Sequence, residues 1–313
     1  MIRMIIGNKQ FNPGHTYIMG ILNVTPDSFS DGGKYNSPDL ALKHIETMIK
    51  DGAYIIDIGG ESTRPGYARI SDQEEIDRIS PVIEASLKNF DIPLSIDTYK
   101  PGVAREALWL GAHLINDIWG LKGENFLRQE PDMASVIAEY DAACCIMHNR
   151  IMNEDLLKNR TVESNTGKLT QKTTYGGEAP KERGVADFGI VDAVVKDLSE
   201  SLNIALSAGI DKNKIVLDPG VGFGKTYEEN LGVLKYLSNI CRSFDVPMLL
   251  GTSKKSVIGL TLGLDKNERL EGTLATTARA VECGCMFVRV HDVKENSRFI
   301  KMYETICEEK NLC

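Results

Sequence analysis

The chain has 313 residues, a formal net charge of −8 and 42% apolar residues, which suits a soluble globular protein of one or two domains. The acidic balance excludes a general nucleic-acid binder, which needs a basic face to neutralise phosphates, but leaves room for one small anionic ligand. No apolar run approaches a membrane span and the apolar patch before Gly7 is too short for a signal-peptide core, so a cytoplasmic protein is expected.

Eight short apolar runs recur, at residues 17–22, 54–58, 93–96, 113–118, 143–147, 214–217, 247–250 and 286–290. Each has strand length. Several are apolar at consecutive positions, as in strands buried on both faces of a parallel sheet. Helical spacing fills the intervals. Leu40, Leu42, Ile45, Met48 and Ile49 form one stripe, and Ile76, Ile79, Val82, Ile83 and Leu87 a second. Val191, Val194, Val195, Leu198 and Leu202 form a third, and Leu231, Leu234, Leu237 and Ile240 a fourth. Such stripes are helix faces that pack on a sheet.

Eight strand–helix alternations predict a single (β/α)₈ TIM barrel over residues 1–313, with its site at the C-terminal ends of the strands. A doubly wound open sheet is the alternative, because periodicity does not prove closure. One segment breaks the rhythm. Residues 149–187, after the fifth strand, are polar and lack an apolar period, and loops this long are usually functional or mobile.

The strand ends read as a polar inventory. They carry Asn23, then Glu61 to Gly66, Asp97-Thr98, Asn116-Asp117, His148, Asp218-Pro219-Gly220, Gly251 to Ser256, and Arg289 with His291-Asp292. A lone Asp after a strand is most often a helix cap. Eight ends that all carry hydrogen-bonding groups point to a ligand with two kinds of group. Asp97, Asn116 and Asp218 offer acceptors for the N–H groups of a nitrogen heterocycle. Arg289, His291, Arg64 and the nearby lysines could offset a phosphate or carboxylate, and Ser253 to Ser256 open a helix whose N–H groups could hold an anion.

One motif is a decoy, and the cysteines carry little metal signal. Residues 220–226 resemble a P-loop, but its spacing needs a glycine at position 219, which is Pro219 and has no N–H to donate. The seven cysteines show no paired zinc spacing and read as reduced thiols.

With these residues assembled, the chain resembles the dihydropteroate synthase family of folate biosynthesis. The resemblance is carried by residues 20–33, with Asn23, Thr25, Pro26, Asp27, Asp31 and the Gly32-Gly33 pair, and by residues 57–66, with Glu61, Ser62, Thr63, Arg64 and Pro65. It continues through Asp97-Thr98, Asn116-Asp117, Met147-His148, residues 218–225, residues 253–256 and Arg289 to Val293. It implies a transferase that joins p-aminobenzoate to 6-hydroxymethyl-7,8-dihydropterin diphosphate, releases pyrophosphate and requires Mg²⁺. Asp97, Asn116 and Asp218 would read the pterin, Met147 and Phe223 would wall it, and Lys255 would reach it. Asn23, Arg289 and His291 would meet the diphosphate, with Asn23 also a Mg²⁺ ligand. Asp31, Thr63, Arg64, Pro65 and Ser256 would complete the diphosphate and p-aminobenzoate side. A homodimer through late helices and competition by sulfonamide analogues of p-aminobenzoate are further implications.

The match departs from the family at Lys254, where arginine is usual, and in the length of the polar segment. A barrel that holds methyltetrahydrofolate for a corrinoid protein would share the pterin acceptors. It would not need the 23–33 and 62–66 loops or the Arg289/His291 pair. A non-catalytic relative is the third reading, and it leaves the full set of polar residues unexplained.

Overall fold

In a computed structural model of the chain, the described residues are 2–24, 38–61, 69–123, 132–150 and 187–308. Eight parallel strands carry the architecture. They are β3 (Tyr17–Asn23), β4 (Ile55–Gly59), β5 (Leu94–Asp97), β6 (Leu114–Asp117), β7 (Ala143–Met147), β8 (Ile215–Asp218), β9 (Leu249–Leu250) and β10 (Phe287–Val290). Their order is β8-β7-β6-β5-β4-β3-β10-β9. The two ends of that series meet, because Leu217 of β8 bridges Met248 in parallel and its N–H donates to the Pro247 carbonyl at 3.0 Å. The sheet is therefore a closed barrel, and the open-sheet alternative falls.

The helices flank the strands in sequence. They are α1 (Pro38–Asp51), α2 (Asp72–Asn89), α3 (Pro101–Trp109), α4 (Met133–Glu139), α5 (Asp187–Ser207), α6 (Tyr227–Lys235), α7 (Leu237–Arg242), α8 (Ser256–Leu262), α9 (Leu270–Glu282) and α10 (Val293–Glu308). Local chemistry fixes several starts. The Ser71 hydroxyl accepts the Glu74 N–H ahead of α2, and Thr226 with Glu229 forms a reciprocal capping box on α6.

Period-2 geometry splits each strand between two cores. Ile56 and Ile58, Leu94 and Ile96, Cys144 and Ile146, and Ile215 and Leu217 pack outward among the helices. Met19, Ile55, Leu114, Cys145, Val216, Leu249 and Phe287 pack inside the barrel. Going up four of the strands, the next inward position turns polar: Ile55 gives way to Asp57, Leu114 to Asn116, Val216 to Asp218 and Phe287 to Arg289. The strands that look uniformly apolar thus carry an apolar floor and a polar mouth.

Two expectations need correction. The sequence reading places no element before residue 17, yet β1 (Met4–Ile6) and β2 (Lys9–Phe11) form an antiparallel hairpin whose Met4, Ile6 and Phe11 join the inner cluster and plug the barrel floor. Phe11 meets Phe287 edge-on with ring centroids 5.2 Å apart. Gly7, at the hairpin turn, has φ +57, and a Cβ there would lie 2.2 Å from the His113 ring. The stripe at Leu231 to Ile240 is two helices rather than one. Arg279 of α9 donates to the carbonyls of Leu234 and Lys235 at 3.1 and 2.8 Å, so these carbonyls have partners outside the helix where α6 ends. The polar segment 149–187 lies outside the described residues between 151 and 186.

Phe11→Ala should cost about 3–5 kcal/mol, the range for removing a buried aromatic ring. Urea unfolding should show a lowered midpoint with an unchanged slope. A wild-type midpoint would mean that the hairpin does not plug the floor.

Candidate active site

The polar layer at the mouth is organised by Arg289. Its Nε donates to Asp57 Oδ2 and its Nη2 to Asp97 Oδ2, each at 2.5 Å. Asp57 is fully buried. It also accepts from the Ser95 hydroxyl at 2.5 Å and from the Asn116 amide at 3.3 Å. Asp97 and Asn116 are direct partners in the β5–β6 register. Burial pushes the Asp97 carboxyl up to about 7, against the pull of Arg289. The Arg289 guanidinium is held charged, since the two carboxylates outweigh its burial. Asp97 Oδ1 is buried and has no hydrogen-bond partner among the described residues.

Asp218 and Lys255 form the opposite side. Asp218 Oδ1 accepts the Gly220 N–H at 2.7 Å, and burial raises its carboxyl. Lys255 is lowered to about 8 by burial, with Asp218 working the other way. Its ammonium donates to the Val221 carbonyl and stands 4.5 Å from the centroid of the Phe223 ring. Phe223, Met147, Tyr99, Ile118 and Trp119 form a separate buried apolar cluster. A Cβ on Gly251 would sit 3.4 Å from Asp218 Oδ2 and 3.9 Å from Arg289 Cβ, so this glycine lies between the two charged sides.

Lys225, from the P-loop decoy, is fully buried and donates to the carbonyls of Gly220 and Phe223 at 2.7 and 3.2 Å. It braces the turn that presents Asp218 and Phe223. Gly220 has φ +65, and a Cβ there would meet the His148 carbonyl oxygen at 1.8 Å, so only glycine suits this turn.

The rim holds the remaining described candidates. Asn23 ends β3 opposite Gly59 in register; a Cβ on Gly59 would lie 3.6 Å from Asn23 Oδ1 and 3.7 Å from Asp97 Cβ. His291 Nδ1 is 3.0 Å from the Ser253 hydroxyl, which also accepts the His291 N–H at 3.2 Å. Ser256 is the first residue of α8. Lys254 pairs with Asp292 Oδ1 at 2.8 Å, while Asp292 Oδ2 has no hydrogen-bond partner among the described residues. His148 contributes no exposed group to the mouth, as its buried ring meets Asp197 of α5 at 3.1 Å. Asp117 is used locally, its carboxylate accepting the N–H groups of Trp119 and Leu121 at 2.8 and 2.7 Å. Asp31, Thr63, Arg64 and Pro65 lie outside the described residues.

Among the described residues no group of three or more His, Cys, Asp or Glu side chains is placed to hold a metal. Mg²⁺ needs only one or two protein oxygens when phosphate oxygens and waters complete its shell. The Asn23 amide oxygen, at the end of β3, is an oxygen donor of that kind.

Asp97, Asn116, Asp218, Met147, Phe223, Lys255 and Arg289, which the sequence reading groups together, lie at this one mouth. That reading misses Asp57 and Ser95 as members of the polar layer. A carboxylate inside the apolar run 54–58 was the available signal, because a buried charge requires partners. Asp57→Ala would leave Arg289 with one carboxylate. It should cost about 3–5 kcal/mol, as for other broken buried pairs, when measured by chemical denaturation. A loss below about 1 kcal/mol would show that Asp57 does not anchor the layer.

Comparison with known proteins agrees with this geometry. The family model described as pterin binding enzyme matches residues 19–291. The dihydropteroate synthase of Clostridium beijerinckii is 50% identical over 305 residues, covering 97% of this chain and 99% of its own. A crystal structure of the Clostridium difficile dihydropteroate synthase in the presence of pteroic acid has a TM-score of 0.78 and 44% identity, covering 95% of this chain and 98% of its own. The Xanthomonas albilineans dihydropteroate synthase with 4-aminobenzoic acid has a TM-score of 0.80 and 32% identity, covering 97% and 98%. The chain belongs to the pterin-binding enzymes and, within them, to the dihydropteroate synthase family.

Proposed function

We propose that the protein condenses 6-hydroxymethyl-7,8-dihydropterin diphosphate with p-aminobenzoate to give 7,8-dihydropteroate and pyrophosphate. The observation that carries the reading is the convergence of Asp97, Asn116 and Asp218 on one mouth beside the Met147 and Phe223 wall. That combination matches a flat heterocycle with N–H donors along its edge.

In this reading the pterin lies in the mouth, and Lys255 donates to it from the Phe223 side. Asn23, Arg289 and His291 face the diphosphate, while Ser256, with Asp31, Thr63, Arg64 and Pro65, serves the diphosphate and the p-aminobenzoate carboxylate. The bond from the pterin methylene carbon to the diphosphate oxygen breaks, and its electron pair leaves with pyrophosphate. The methylene carbon, left with cationic character, is captured by the arylamine nitrogen, which then gives up a proton. Mg²⁺, held by Asn23 and the diphosphate, would offset charge on the leaving group. Asp57 and Asp97 favour positive charge near the mouth, so charge stabilisation rather than a covalent nucleophile supplies the catalysis.

A homodimer and a cytoplasmic location fit the same reading. Exposed Leu260 and Leu262 on α8 and Met302 and Ile306 on α10 are apolar candidates for the subunit contact. Sulfonamide analogues of p-aminobenzoate should compete for the second site.

Purified protein with Mg²⁺ should release pyrophosphate only when both substrates are present. Release with pterin diphosphate alone, or none with both, would overturn the assignment. The affinity for bare pterin should also follow a bell in pH. Below about 7 Asp97 takes up a proton and loses acceptor capacity. Above about 8 Lys255 loses its charge and one donor. Calorimetry from pH 6 to 9, a range of about 1–2 units around these values, should find the tightest binding between the two limbs. Lys255→Arg should keep the acid limb and lose the alkaline one. A flat profile contradicts both roles.

A further inference from the structure

A buried ionic cluster at the tips of β4 and β5 has no part in the roles assigned above. Glu61 follows β4, and Lys100 is the residue that precedes α3. The Lys100 side chain is 9% exposed, and its ammonium lies 2.6 Å from Glu61 Oε2 and 2.8 Å from Glu75 Oε2. It also donates to the Ile70 carbonyl at 2.8 Å. The Tyr99 hydroxyl donates to Glu61 Oε1 at 3.0 Å. One ammonium therefore joins the end of β4, the approach to α2, the first turn of α2 and the start of α3.

Stability alone gives little reason for such a cluster, because well-packed apolar residues serve as well as a buried ion pair. What the cluster adds is direction. Asp97 stands three residues before Lys100, and Tyr99 immediately before it. The Tyr99 ring joins Met147 and Phe223 in the apolar cluster of the mouth. Fixing Lys100 and the Tyr99 hydroxyl fixes the path by which the chain leaves β5. Two carboxylates share the one cation, so its removal would set Glu61 and Glu75 against each other in a site where neither is well solvated.

We propose that Lys100 is a positioning residue for the condensation. Through Glu61 and Tyr99 it sets the tip of β5, and with it the Asp97 carboxylate and the Tyr99 ring beside the pterin. The inference rests on the reading of this mouth as a pterin site.

The test uses the full chain with authentic substrates and reads each KM separately, with calorimetric binding of bare pterin alongside. Lys100→Met should raise the KM for pterin diphosphate and the Kd for bare pterin by about 10-fold, a modest loss for a misplaced binding group. The KM for p-aminobenzoate should stay within about 2-fold, since the displaced groups face the pterin. Lys100→Arg keeps the charge and should restore the pterin KM to within about 3-fold of wild type. Tyr99→Phe removes only the hydroxyl and should raise the pterin KM by about 3-fold. It also tests the link if Lys100→Met fails to fold. Unchanged pterin binding in folded variants, or an equal rise in both KM values, would overturn the inference while leaving the enzyme assignment intact. A wild-type protein that binds no pterin overturns both.

Discussion

The mouth of the barrel depends on the guanidinium of Arg289 held between Asp57 and Asp97. Asp57 and Arg289 each stand one inward step above an apolar residue, Ile55 and Phe287, and Asp97 stands above Ser95. None could be placed there alone, because an unpaired charge in such a site is strongly penalised. Together, with Ser95 and Asn116 completing Asp57, they form a polar layer that spans β4, β5, β6 and β10. A buried ionic layer is weak evidence of stabilisation, since apolar replacements are often as stable. Its position at the C-terminal ends of closed parallel strands, where ligands bind in this architecture, makes it a site.

The floor of the barrel makes that layer responsive. Met4, Ile6 and Phe11 of the hairpin fill the space beneath it and leave water one side of approach. The consequence is visible in the titrating groups. Burial raises Asp97 and Asp218 and lowers Lys255, so each group is drawn toward its neutral form. A ligand that supplies N–H donors to the carboxylates and an acceptor to the lysine reverses that pull. The hairpin is thus tied to the chemistry through the dielectric of the site, although it sits at the opposite end of the strands.

The eight strands are legible in the sequence because burial on both faces writes them as apolar runs. The site is legible because each run stops at a hydrogen-bonding residue. The less legible parts have physical causes. The hairpin strands are three residues each and include Lys9 and Gln10, too short and too polar to show a period. Asp57 is hidden inside a run whose neighbours are all apolar. The break between α6 and α7 depends on Arg279, which is distant in sequence. Lys225 carries the residue type of a phosphate binder but is turned onto backbone carbonyls, a use that a motif cannot distinguish.

Charge then favours one orientation for a ligand with a heterocycle at one end and a diphosphate at the other. With all groups ionised, the carboxylates of Asp57, Asp97 and Asp218 outnumber Arg289 and Lys255. Arg289 already spends two donors on carboxylates. Such a layer is a poor trap for a bare diphosphate and a good one for N–H groups. The anionic end is better met at the rim, where Asn23 is a hard oxygen donor and His291 is oriented by Ser253. A divalent cation there would offset charge that Arg289 alone does not. Such a ligand would then sit with its heterocycle deep and its diphosphate outward, which would place the breaking bond near the opening through which a second substrate must approach.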